Sequence, residues 1–262
     1  DSSINGGTVQ LLVSTDGGGS FVPLDTPSTI SAVNTNKTIS VASGVLEGVA
    51  GFGESDVLQF KATITDTSGN ATTGTVSDTT LTVDQTAATI STSSIASDNE
   101  TVTLAKTGDT VTLTIATNEN VSSPTVTFTS GGAAATNADT VSGASPGTSF
   151  TSAYTVDASD TDGTVAISIT ATDVAGNTTS GFTTISAGSV TVDQTAPASQ
   201  KTQGVVTTGG DNQVAGYWNS GNTGVDITVP IADDSSINGG TVQLLVSTDG
   251  GGSFVPLDSP ST

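Results

Sequence analysis

Cysteine, histidine, methionine and arginine are all absent from the 262 residues. Without Cys there is no disulfide and no thiol nucleophile. Without His there is no imidazole base, no His-dependent triad and no ordinary zinc site. Four lysines face 25 acids, for a net charge of -21. Recognition of phosphate leans on clustered Lys and Arg, so nucleic acid and anionic lipid surfaces do not fit as partners. No apolar run is long enough to cross a bilayer, which argues against direct membrane insertion. The Gly-Gly-Gly-Ser at 17–20 has no following Lys-Ser/Thr and reads as a turn, not a phosphate loop. Acids confined to turns are weak support for acid–base catalysis, and the expectation is a protein that is not an enzyme.

What is present is Thr, Ser, Val, Gly and Asp, with apolar residues alternating at strand spacing. Repetition is the strongest signal. Residues 1–29 recur at 234–262 with a single change, Thr26 for Ser259, at an offset of 233 residues. A shorter echo, LTVDQTAA at 81–88 and VTVDQTAP at 190–197, has an offset of 109. The longer period therefore holds two unlike domains of similar length. The expected division is 87–195 as one complete domain, 1–86 as the C-terminal part of the other type without its first strands, and 196–262 as the N-terminal part of its next copy. With no initiator Met and no signal peptide, the chain reads as an internal piece of something larger.

Period-2 segments bounded by Gly, Asn, Asp and Ser clusters predict strands at 109–117, 124–130, 149–156, 163–173 and 188–195. Further strands are expected at 37–41, 56–66, 78–86 and 224–232, with hairpins over 8–24 and 241–257 turning at Asp-Gly-Gly-Gly. No segment has convincing helical periodicity. The fold class is all-β, with tandem Ig-like β-sandwich domains in an elongated array. Among the few aromatics, Phe60, Phe128, Tyr154 and Trp218 are expected as core or edge anchors. A carbohydrate platform built on Tyr217 and Trp218 is the alternative.

The segments GDTVTLTIATNENVSSPTVTF, TATDVAGNTT and SVTVDQTAP resemble bacterial Ig-like repeats, and AGYWNSGNTGVDITVPIADD with GFGESDVLQFKATITDTSGN resembles a sister type. Both are similar to arrays in giant cell-surface adhesins, of the biofilm type or the gliding type of Bacteroidetes. The first linker departs from the pattern at Ala88, where Pro is usual, which implies a less stiff junction. The resemblance implies a secreted protein at the bacterial cell surface. There the repeats would serve as a filament-like stalk for cell adhesion in biofilm formation or gliding motility. Their neighbours would be adjacent repeats of the same polypeptide, and any surface or glycan ligand would be met through a distal domain. The alternative is that the repeats themselves bind glycan or a surface.

In an Ig-type sandwich the loop after the second strand and the loop after the sixth share the end at which the chain enters. In the complete domain this groups Glu119 (in a loop expected at 118–120) with Asp173 and Asn177, next to Asp84 of the linker. The other domain type supplies Asp193 from its linker, Asp233 and Asp234 from the first loop, and Asp66 and Asn70 from the second. Hard oxygen donors without Lys or Arg suit Ca2+. The competing reading is that Asp and Asn are only turn residues, which Asp-x-x-Gly-Asn accommodates without a metal. Asp157, Asp160 and Asp162 before Gly163 resemble part of a calcium loop but lack its bidentate Glu.

Overall fold

The computed structural model describes residues 2–138, 141–198, 202–232 and 237–260. The first sheet follows a 3-10 turn at Ser2–Ile4. Strands β1 (Thr8–Ser14), β2 (Val22–Thr29), β3 (Val57–Thr65), β4 (Ala71–Thr73) and β5 (Leu81–Thr82) pair antiparallel in the order β2-β1-β3-β4, with β5 also on β3. The β1–β2 turn is closed by Asp16. Its carboxylate accepts from the amides of Gly19 and Ser20 and from both hydroxyls of Ser14 and Ser20. Gly17 and Gly18 take positive φ there, which a side chain would resist. Period 2 puts Val9, Leu11 and Val13 on one face, opposite Ile64, Ala62 and Phe60. One end of that face is buried in a small cluster of Val13, Leu24, Leu58 and Val83. It is covered by Leu46 of α1 (Ser43–Glu47), together with Val49 and Phe52. The short helix was not expected, and no strand forms at 37–41. With five residues each, neither segment carries enough periodicity to separate helix from strand.

Residues 90–192 form a two-layer sandwich. Its strands are β6 (Ile90–Ser97), β7 (Leu104–Ala105), β8 (Thr110–Val121), β9 (Thr125–Ser130), β10 (Ala133–Ala134), β11 (Gly147–Thr155), β12 (Gly163–Thr172), β13 (Thr178–Phe182) and β14 (Thr191–Val192). One sheet runs β10-β9-β12-β14-β7 with β13 on β12; the other runs β11-β8-β6. The inner faces alternate strictly: Val111, Leu113 and Ile115 on β8, Phe150 and Tyr154 on β11, and Val165, Ile167, Ile169 and Ala171 on β12. Each of the Val, Leu, Ile and Phe side chains contributes about 1.5–3 kcal/mol by leaving water. Phe128 and Tyr154 meet with ring centroids 5.1 Å apart.

Strand β6 escaped the sequence reading because two of its three inward positions are serines. Ser93 is fully buried but satisfied: its hydroxyl donates to the Thr184 carbonyl at 2.6 Å, and its amide donates to the Ser186 hydroxyl at 2.8 Å. The segment at 184–187 is thereby stitched to β6. Beyond the sandwich lie a ribbon of β15 (Gln203–Thr208) and β16 (Gly224–Thr228), and a hairpin of β17 (Leu245–Val246) and β18 (Val255–Pro256). The all-β expectation is met. Of the four expected anchors, Phe128 and Tyr154 are buried and Phe60 packs against the small cluster. Trp218 is instead 62% exposed, because no second layer covers the loop it sits on among the described residues.

Candidate metal centre

Strand β8 does not stop at Thr117 but continues to Val121, so residues 118–120 are strand and not loop. Its inward parity runs through Thr117 to Glu119, and a register shift opposite Gly147 and Ser149 loosens the end. The Thr117 hydroxyl donates to the Glu119 carbonyl at 2.6 Å within this irregular turn of backbone. Asp173 follows the last residue of β12 and bridges Val121. Both acids are thus carried on core strands whose alternation aims them the same way.

The third acid arrives from the linker. Asn118 fixes the linker by accepting from the Thr89 amide at 2.6 Å, and Ala88 is buried in the sandwich core. Carboxylate oxygens of Asp84, Glu119 and Asp173 lie within 4.8 Å of one another. The Asp173 side chain is buried, and its Oδ1 accepts from the amides of Gly176 and Asn177 at 2.7 and 2.9 Å. Burial opposes its charge, yet the hydrogen bonds from Asn177 and Gly176 outweigh it and hold the carboxyl below the usual range. Asp84 moves the other way. Burial raises it first, and the charges of Asp173 and Glu54 raise it further. Three carboxylates thus converge without a balancing cation: among the described residues the one ion pair is Lys106–Asp109.

Asn177 departs from its expected part as an oxygen ligand. Its amide nitrogen, not its oxygen, faces the acids, donating to Asp173 Oδ2 at 3.0 Å and to Asp84 Oδ1 at 3.2 Å. Carboxylates only accept, so an amide between them turns its N–H groups inward. Glu54 was not anticipated. Its Oε2 accepts from the Gln85 amide at 3.0 Å, which adds negative charge beside Asp84. No spacing rule links it to residues some thirty positions on.

Three members of the second expected group, Asp193, Asp66 and Asn70, are among the described residues. Asp233 and Asp234 lie outside the described residues. Asp193 caps the Thr195 amide at 3.0 Å. Asp66 and Asn70 repeat the local bonding of Asp173 and Asn177, with Asn70 Nδ2 3.0 Å from Asp66 Oδ2, and no further acids join them into a cluster among the described residues. The Asp157–Asp162 loop is closed by its own hydrogen bonds. Asp160 accepts from Thr136 and the Asp157 amide, Asp157 from Ser159, and Asp162 from Gln194 and Thr195.

The donor set of the first cluster fits a hard divalent cation. Three carboxylates offer up to six oxygens, and Ca2+ takes six to eight. Asp84, Glu119 and Asp173 would hold it, and the cation would supply the positive charge that the cluster lacks.

No family model and no curated protein matches the chain. Among solved structures, it is similar to a tetra-tandem repeat in the extending region of a large adhesion protein, at 22% identity and a TM-score of 0.32. The alignment covers 87% of this chain and 57% of that one, so the chain spans little more than half the length of that structure.

Proposed function

We propose that this chain is a length of repetitive structural stalk that spaces an adhesive tip from a bacterial surface, with Ca2+ stiffening its junctions, and that it catalyses nothing. The observation that carries this reading is the path of the chain through the sandwich. The chain enters beside Asp173, where Asn177 holds Asp84. It leaves beside Asp162, which accepts from Gln194 and Thr195. These acids flank opposite ends of the ten-residue β12, roughly 36 Å apart at about 3.3 Å per residue. A domain with its two linkers at opposite ends adds length with each copy, and length is what near-identical repetition multiplies.

The cation belongs at this junction because linker, strand end and loop all contribute to it. Like charges at the Asp84–Asp173 contact push linker and loop apart; a divalent ion reverses the sign and ties them. Attachment in biofilms or gliding is the setting that the sequence resemblance suggests. A second reading, in which the repeats bind glycan or a surface directly, draws support from the exposed Tyr217 and Trp218.

Electron microscopy of a protein with several successive repeats tests the stalk. The expected image is an unbranched rod that lengthens by about 35–45 Å per added domain, straight in Ca2+ and bent in chelator. Compact particles whose size does not follow repeat number would refute it.

A further inference from the structure

The linker is bonded to both of its neighbours, and the bonds change sides within a few residues. Toward the first sheet, the Val83 amide donates to the Asp56 carbonyl at 2.9 Å, and the Val83 carbonyl accepts from the Ser55 amide at 2.8 Å. The Val83 side chain is buried in the small cluster, and the Gln85 amide donates to Glu54. Toward the sandwich, Ala88 is buried in the core, and its carbonyl accepts from the Thr179 hydroxyl. Thr89 and Asn118 are bonded twice. The Thr89 amide donates to the Asn118 side-chain oxygen at 2.6 Å, and the Asn118 amide donates to the Thr89 carbonyl at 3.1 Å. Between these two anchors lie Thr86 and Ala87. Among the described residues neither bonds to the sheet or to the sandwich; the Thr86 amide only reaches back to Asp84 at 3.3 Å. Two residues without outside partners, set between fixed segments, are where backbone rotation meets least resistance.

One contact crosses that gap. Asp84 stands on the sheet side, between Val83 and Gln85, and Asn177 stands on the sandwich side, in the loop after β12. The Asn177 amide nitrogen lies 3.2 Å from the Asp84 backbone carbonyl and 3.2 Å from its carboxylate. The loop itself aims this amide. In the first sheet Asn70 holds the same place after β3, and its Nδ2 donates to Asp66 Oδ2 at 3.0 Å, just as Asn177 donates to Asp173 at 3.0 Å. The backbone bonds match too, at 2.8 Å from the Asn70 amide to Asp66 and 2.9 Å from the Asn177 amide to Asp173. The Asp-x-x-Gly-Asn turn therefore orients its own amide, and the bond to Asp84 uses donors that are already ordered.

We infer that Thr86–Ala87 is a hinge between the first sheet and the sandwich, and that the Asn177 amide is the latch that holds it closed. The latch acts at the junction that the stalk reading stiffens with Ca2+, and it rests on that reading only in treating 83–89 as a joint between units of a rod. It needs no cation. Two N–H donors, adding no charge, hold the Asp84 carboxylate against that of Asp173. Without a cation the joint keeps one preferred angle instead of swinging freely.

The test measures distances across the hinge in the whole 262-residue chain, in chelator throughout. The chain has no cysteine of its own, so Thr26→Cys and Thr127→Cys place one spin label on each side of the hinge at exposed positions. Double electron–electron resonance should give one narrow distance distribution with Asn177 in place. Asn177→Ala should lower the ratio of closed to open joints about tenfold, the size expected for one hydrogen bond to a charged group, and broaden the distribution. Asn177→Asp, which puts a further carboxylate between Asp84 and Asp173, should open the joint at least as far. Asn70→Ala removes the same amide from the loop that does not cross the hinge, and should leave the distribution narrow. A broad distribution with Asn177 intact, a narrow one in Asn177→Ala, or equal broadening by Asn70→Ala would each overturn the latch. Because no measurement uses Ca2+, a rod that ignores Ca2+ would leave the latch standing, and a failed latch would leave the Ca2+ reading to its own test.

Discussion

Replacing Glu119 by Gln separates the metal reading from the turn reading through a change of sign. The side chain keeps its shape and loses its charge. Extracellular calcium modules bind with Kd of about 0.1–1 mM, so 10 mM Ca2+ is about 10–100 times Kd. Binding to the folded state alone then adds about 1.4–2.7 kcal/mol to stability. A domain of this size gains about 4–8 °C per kcal/mol, so the melting temperature of the wild type should rise by roughly 6–22 °C between chelator and Ca2+. Glu119→Gln should lose most of that rise. In chelator it should melt slightly higher than wild type, because Asp84 and Asp173 then face one negative neighbour fewer within 4.8 Å. Differential scanning calorimetry of the whole chain measures both differences, with Mg2+ as a control for ionic strength. A variant that is less stable in chelator and shares the full response to Ca2+ would refute the reasoning, since Glu119 would then be an ordinary strand-end acid.

Acid titration in chelator should show two opposed effects. Asp84 is raised, so its contribution grows as pH falls through its folded pKa; Asp173 is lowered, so its contribution is present above the ordinary aspartate value and is lost as pH falls further. The denaturation midpoint should therefore rise slightly and then drop on acidification, and Asp84→Asn should remove the rise alone. At the alkaline end, burial pushes the Tyr154 phenol up to about 12, so stability present below pH about 10 should drain away between about 10 and 12. Tyr154→Phe should flatten that loss and change stability at neutral pH by no more than about 1 kcal/mol, as the buried hydroxyl makes no well-formed hydrogen bond and has the Ser130 side chain beside it; an alkaline loss that persists in urea melts of the variant would show that another group titrates. Gly188 holds a φ of +79, and a Cβ there would lie 2.1 Å from the Ile95 carbonyl oxygen. Gly188→Ala should cost about 2 kcal/mol or more by chemical denaturation, through strain and the displaced β6 edge, whereas Gly108→Ala, with open space around it, should cost less.

The strands with apolar alternation could be read directly from the chain. Val111, Leu113 and Ile115, and Val165, Ile167 and Ile169, announce a sheet face because period 2 is a local property of extended backbone. The tandem order was equally plain, since identity at a fixed offset needs no geometry. Grouping Asp84, Glu119 and Asp173 followed from topology: loops at one end of an Ig-type sandwich meet however far apart they lie in sequence. The details that decide chemistry did not follow. Strand β6 was hidden because its inward Ser93 is stabilised by Thr184 and Ser186, some ninety residues away. Glu119 was placed in a loop because strand ends depend on partners, and β8 ends where Gly147 stops pairing with it. The direction of the Asn177 amide and the presence of Glu54 arise only when three separate backbone segments are packed side by side. An electrostatic field sums over neighbours in space, and neighbours in space are what a linear chain does not contain until it folds.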